Sequence, residues 1–515
     1  MINKEKIKSP IMKKIIIILI LAVNLLFLGA CNKLSLDLSP VSSITDGNFW
    51  KTPDQFNAFI IGVHSRFRTH AFNFYCMGEL RSDIYGDNPF GGEATQGMER
   101  FWFNTLNSEN TGISDYGGFY SNINQINLFI SKTLPTNVLL TADKNYYLGQ
   151  AYGLRAYYYF QMMRTWGKVI IQTAPSQGFN LANLAKAASS NTDVMALIKK
   201  DIDSSTVHFA TDYSFKESKG MWSKAATLML KAETYLWSSK QMGGGAADAT
   251  IAKTALTDIQ TNVPTLGLMT NFKDVFAYAQ KGNKEIIFAV RDQINESDLL
   301  SGNWSNFWPQ TAYLGNFYDS IAGTKINTAV ENVSGLLRCP TKINTFWRFS
   351  NADTRKLSSI KGAYNLVGGK YVLSGCYQYK YQGINNGGAT RTMADDFPIY
   401  RYADLLLMLA EAENVLGQDP TNEINLVRQR AYGTNYSVAT YGFPHQPGDN
   451  VVPDAILNER FFEFLYEGKR WYDLLRFGKS YVYKYTTITQ DYQLLWPVDK
   501  TTLTNNILLT QTPGY

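Results

Sequence analysis

The sequence predicts a mainly α-helical protein, with a scaffold of stacked helix hairpins supporting a looser, loop-rich part. Several stretches repeat apolar residues at spacings of three and four, the signature of helices with one buried face. These stretches come in neighbouring pairs broken by Pro or Gly. Between the pairs, at about 75–118 and 270–395, lie segments rich in Gly, Asn, Trp and Tyr with little periodicity.

Taken in order, the chain opens with Lys13-Lys14, the apolar run Ile15 to Leu28, and Leu28-Gly29-Ala30-Cys31. A run this short falls below the ~20 residues a membrane helix needs, so residues 1–30 read as a cleaved leader. Small residues just before Cys31 suit lipoprotein processing, in which the Cys31 thiol takes a diacylglycerol. Met12 offers an alternative start. Beyond Cys31 no apolar run approaches membrane-spanning length.

Residues 32–48 read as a tether, and Thr45 or Asp46 as the cap of a helix from Asp54 towards Arg68. Residues 83–118 read as a long loop. Helices are expected from Tyr116 to Lys132, ending at Leu134-Pro135, and from Lys144 to Trp166, ending at Gly167. A further pair is expected at Asp193–Asp203 and Met221–Ser239. Gly243-Gly244-Gly245 then breaks the chain. The run from Glu285 to Val290 is strand-like. Helical order resumes at Pro398, with Tyr402, Leu405, Leu409, Ala412 and Leu416 on one face and Gly417 as its stop. Another helix follows from Pro420 to about Ala431. Short helices joined by tight turns suggest hairpins of the tetratricopeptide kind, although no regular 34-residue period emerges.

Composition narrows the function. The 515 residues are 45% hydrophobic and carry a formal charge of +6. Five Lys and one Glu lie in the leader, so the mature chain is nearly neutral. That balance offers no basic face for nucleic acid. Cys76, Cys339 and Cys376 have no C-x-x-C spacing and read as buried small hydrophobes or one disulfide, and the four histidines form no H-E-x-x-H. Neither a metal site nor a cofactor is expected.

Several segments resemble the SusD/RagB family of surface nutrient-binding lipoproteins. They are the lipobox at Cys31, Asn48 to Asp54, Gly153 to Gln161, Ile399 to Ala412, Glu459 to Arg476, and the ending Thr512-Pro513-Gly514-Tyr515. The resemblance implies one SusD-like domain over 31–515, with a helical scaffold at about 116–240 and 398–480. It also implies an outer-membrane location facing the exterior and a SusC-like TonB-dependent transporter as partner. Within these motifs Arg155, Arg401, Arg470 and Arg476 lie among Asp404, Glu411, Glu459, Glu463, Glu467 and Asp473. Glu459, Glu463 and Glu467 recur every four residues, so they are expected on one helical face, in ion pairs that tie helices together.

A sugar site needs ring faces and planar polar groups. Two loop-like segments combine them, around Asp83, Tyr85 and Trp102, and around Trp304, Trp308 and Tyr313. These six are the candidate ligand contacts; each Trp has packing under a loop as its alternative, and Asp83 a structural role. The favoured function is a non-catalytic oligosaccharide receptor. A peptide receptor of the RagB kind, a purely structural lid, and an endo-glycosidase using two of Glu296, Asp298 and Asp319 stand beside it.

Overall fold

The computed structural model describes residues 14, 48–176, 185–216, 218–298, 304–388 and 390–515. Expectations placed on the leader, Cys31, Thr45 and Asp46 lie outside the described residues. The chain divides into two units, Met1–Phe56 and Asn57–Tyr515. Of the first, residues 48–56 contain an edge-on contact of Phe49 with Trp50 at 4.9 Å and the start of helix α1, Pro53–Thr69.

The second unit continues with α2, Ala71–Glu79, which the periodicity does not announce because eight of its nine residues are buried. Helices α3 (Tyr116–Thr133), α4 (Thr141–Trp166), α5 (Asn191–Phe209), α6 (Lys224–Gln241) and α7 (Gly245–Asn262) follow, each packing on the next. Asp115, Ser190 and Ser223 cap α3, α5 and α6 by accepting from the backbone N–H of the third residue of each helix. Gly167 ends α4 with φ 74°, as its sequence position suggests. The glycine run at 243–245 is a tight turn that leads straight into α7, whose Ala252, Leu256 and Ile259 form a buried stripe.

Strand β1, Ile286–Val290, is buried throughout. Farther on lie β2 (Tyr318–Asp319), β3 (Thr324–Lys325), the short helices α8 (Ile343–Arg348) and α9 (Arg355–Ser359), β4 (Ile360–Val367) and β5 (Lys370–Gln378). The order β3-β2-β4-β5 makes a four-stranded sheet. Its β4–β5 hairpin turns on Gly368 and Gly369 at φ 55° and 79°, the left-handed pair that a two-residue turn requires. Gly362 and Gly375 interrupt the alternation that would have advertised these strands.

The expected helix at Pro398 begins instead at Tyr402. Phe397–Arg401 is strand β6, antiparallel to β1 with Val290 opposite Phe397 and Ile286 opposite Arg401. All five of its residues are buried, so the run bears no amphipathic stripe of either period. Helices α10 (Tyr402–Val415), α11 (Thr421–Tyr432), α12 (Val452–Phe464) and α13 (Arg470–Phe477) complete the scaffold. α10 packs on α7, α11 and α12, while α13 returns to α2 and α6. The molecule is mainly α, and no described helix is long and apolar enough to cross a membrane.

Rings fill the core. Phe67 and Phe74 meet Tyr157 and Tyr158, and Trp222 stands edge-on to Phe288 at 4.9 Å. Cys76, Cys339 and Cys376 are buried free thiols. Ion pairs thread the C-terminal helices: Arg476 to Glu411 at 2.8 Å, Arg460 to Asp404 at 2.8 Å, and Arg355 to Glu459 and Glu463 at 2.6 and 2.9 Å. Glu459 and Glu463 share a face of α12 as expected, but Glu467 does not, because α12 stops at Phe464 and Tyr466 turns with φ 67°. Arg155 pairs with Asp201 on α5 at 2.7 Å.

Candidate ligand-binding cleft

Most of the rings expected to meet ligand are interior. Trp304 and Tyr85 have no exposed surface, Trp308 has 1% and Trp102 has 4%. Trp304 stands edge-on to Tyr75 and Tyr381, and Trp308 packs on Tyr377. The loop's backbone is also tied down: the backbone N–H groups of Leu336, Leu337 and Cys339 donate to the carbonyls of Ser305, Trp308 and Asn306 at 2.7, 2.8 and 2.8 Å. Segment 336–339 therefore runs along the loop at residues 305–308 and pins it. A ring with no exposed face cannot stack on a sugar, so packing under a loop is the role these indoles have here. Tyr313 keeps a ring at the surface.

Asp83 is likewise committed. Arg470 holds both its carboxylate oxygens at 2.8 and 2.9 Å, and Arg348 adds a contact at 2.9 Å. Burial acts to raise its pKa, but the two guanidinium groups outweigh that and hold it at about 2. The exposed Glu296 pairs with the half-buried Arg68, whereas Asp319 lines a separate cleft beside Lys361. Among the described residues, no three His, Cys, Asp or Glu side chains converge as metal ligands would.

The accessible indole is Trp347. Of the ten tryptophans it alone is exposed, at 56%. It sits on α8 beside Phe346, which is 4% exposed. Neighbours on a helix point about 100° apart, and on α8 this turns Phe346 inward and leaves Trp347 outward. Adjacent aromatics elsewhere, such as Tyr157 and Tyr158, are both buried, so nothing in the sequence around Trp347 singles it out.

Trp347 borders a cleft of about 380 Å³ lined by Arg348, Tyr432, Gln446, Asp449 and Asn458 among others. α8, α11, α12 and the loop before α12 each supply part of the wall. Arg428 fixes the floor, donating to Asp449 at 2.7 and 2.8 Å and to Glu459 at 2.8 Å. Burial opposes the charge on Arg428, but these carboxylates raise its pKa and keep it ionised. Arg348 lies 3.5 Å over the Phe461 ring and donates to Asn458 at 3.4 Å. Tyr432 stacks on Tyr441 at 4.0 Å, which stiffens the far wall. An open ring face above planar amide and guanidinium groups is the chemistry that sugar recognition requires.

Comparison with known proteins places the whole chain. Residues 275–515 match a family profile described as SusD family, and residues 36–236 match one described as starch-binding associating with outer membrane. SusD-like protein P38 of Formosa agariphila is 28% identical, with 98% of this chain and 99% of that protein covered. Among solved structures, B. fragilis NanU is 46% identical with a TM-score of 0.87, covering 93% of this chain and 100% of that one. A SusD superfamily protein from Bacteroides vulgatus is also 46% identical, with a TM-score of 0.85 over 90% and 100%.

Proposed function

Because this chain belongs to the SusD family, we propose that it is a cell-surface lipoprotein that binds a glycan without cleaving it and hands it to a SusC-like TonB-dependent transporter. The observation that carries the reading is Trp347, the one exposed indole, standing over a cleft of planar polar groups. The starch-binding description of the matched N-terminal profile supports a saccharide as ligand and the outer membrane as location. Attachment through a lipid on Cys31 follows from the small residues before it. Two acyl chains or more hold a protein on a membrane durably, at ~0.8 kcal/mol per buried methylene.

A binding role fits the cleft's own carboxylates. Asp449 and Glu459 are both held by Arg428, and Glu459 also by Arg355. Glycoside hydrolysis needs one carboxyl raised for proton donation and a second facing it across the bond. Two acids locked on one guanidinium do not meet that need.

A glycan array probed with the lipid-free ectodomain, calorimetry on the hits and a reducing-end assay test the reading. Saccharide binding without new reducing ends is expected. Capture of peptides with a silent array selects the RagB-like alternative, and release of reducing ends overturns the non-catalytic assignment. Cys31→Ala is expected to move the protein out of the membrane fraction.

A further inference from the structure

A second cleft lies on the other flank of the helix that carries Trp347. It measures about 240 Å³ and is lined by Phe346, Leu357, Tyr364, Tyr379, Asp319 and Lys361 among others. Its composition repeats that of the first: ring surface from Tyr364 and Tyr379, apolar surface from Leu357, which is 53% exposed, and charged groups at the edge. Those groups are held in place. Asp319 accepts from the backbone N–H groups of Ile321 and Ala322 at 2.9 and 3.2 Å, and Lys361 lies 2.5 Å from Glu331 and 3.5 Å from Asp319.

The two clefts share α8 as a common wall. Phe346 lines one and Trp347 the other, their rings edge-to-face at 5.2 Å. Lys356 on α9 anchors this ridge. Its ammonium lies 4.3 Å from the Phe346 ring centre and 5.3 Å from that of Trp347, and donates to Asn351 at 2.7 Å. A rigid ridge between two ring-lined clefts presents two binding surfaces at a fixed separation.

We propose that the Tyr364–Tyr379 cleft is a second saccharide subsite, so that the ligand is an oligosaccharide long enough to lie across the Phe346–Trp347 ridge. This rests on the glycan-binding reading above. A ligand confined to one cleft would gain nothing from the other, whereas a chain spanning both gains contacts at each without a second loss of translational freedom.

A glycan array graded by chain length, probed with the mature ectodomain and its Trp347→Ala, Tyr364→Ala and Leu357→Ser variants, tests this. Leu357 is exposed enough for its variant to fold even where loss of Tyr364 disturbs the sheet, and thermal melting checks each protein. Binding is expected to strengthen with chain length. Trp347→Ala should weaken binding at every length, and the two second-cleft variants should weaken only the longer glycans, by about tenfold. Unchanged binding of long glycans by well-folded Tyr364→Ala and Leu357→Ser overturns the second subsite while leaving the first intact. A wild-type protein silent across the whole array overturns the glycan reading itself, and this proposal with it.

Discussion

Arg401, the last residue of β6, grips Glu467 three residues beyond the end of α12, with Nε 2.8 Å from Oε2 and Nη2 2.8 Å from Oε1. The same guanidinium donates to Glu463 at 2.6 Å and to Glu285, next to β1, at 2.7 Å. All four side chains are fully buried. One cation thus joins the two-stranded sheet to the C-terminal helices. Removing it leaves these buried carboxylates to Arg430, Arg355 and Lys380 alone, with their charge only partly compensated. Arg401→Leu is therefore expected to cost about 3–5 kcal/mol, read as a lower urea midpoint or a failure to fold. A midpoint equal to wild type would show that the cluster contributes nothing net.

Acid should destabilise the protein in two stages. His64 is held neutral: Nδ1 bonds the Ile60 carbonyl at 2.9 Å and Nε2 accepts from the Trp222 backbone N–H at 3.0 Å. Burial lowers its pKa from 6.5 to about 4. The unfolded chain therefore takes up the proton first, and stability falls between pH 6.5 and 4, by on the order of 3 kcal/mol. Urea midpoints between pH 7.5 and 4.5 check this, and His64→Gln should flatten the slope.

The second stage comes from carboxylates. Burial acts to raise the pKa of Glu411, yet Arg476 and Lys240 hold it at about 2, and Asp83 is held equally low. Groups depressed in the fold stabilise it above their unfolded values of 4.5 and 3.8. That stabilisation drains away as pH falls from about 5 towards 2. Circular dichroism melts at pH 5, 4 and 3 should show a steepening loss, shallower in Glu411→Gln, which starts less stable.

Trp347 and Trp304 should separate binding from stability. Trp347→Ala is expected to leave the melting temperature nearly unchanged and to lower glycan affinity by about 2 kcal/mol or more. Trp304→Ala removes a fully buried indole and should cost about 3–5 kcal/mol of stability. Measuring both properties on both variants decides the matter, and normal binding by Trp347→Ala would remove it from the site.

Gly78 marks where α2 meets the chain entering α13. A methyl group there would sit 1.8 Å from the Gly468 carbonyl oxygen, which is backbone and cannot swing aside. Gly78→Ala should therefore force the two segments apart and lower the melting temperature, by about 1–2 °C per kcal/mol in a domain this large.

Much of the scaffold was readable from local pattern. The stripes in α3 to α6, the stop at Gly167 and the charged motifs near the C-terminus announced helices bound by ion pairs. What escaped were elements without a stripe: α2 and β6, buried on every side, and the β4–β5 hairpin, whose glycines break the alternation. The charged motifs named Arg401 and Arg476, but Arg355, Arg428 and Arg430 lie in unremarkable sequence and join Glu459 and Glu463 only through the fold.

By itself, then, the sequence determined the mainly helical character and the family likeness, because each is written in residues close together along the chain. Only the tertiary structure decided which rings are free. Trp304 and Trp347 both stand in aromatic, weakly periodic sequence; one is enclosed by Tyr75, Phe307 and Tyr381, whereas the other is 56% exposed. Exposure depends on what crosses a residue from far along the chain, and no local pattern carries that information.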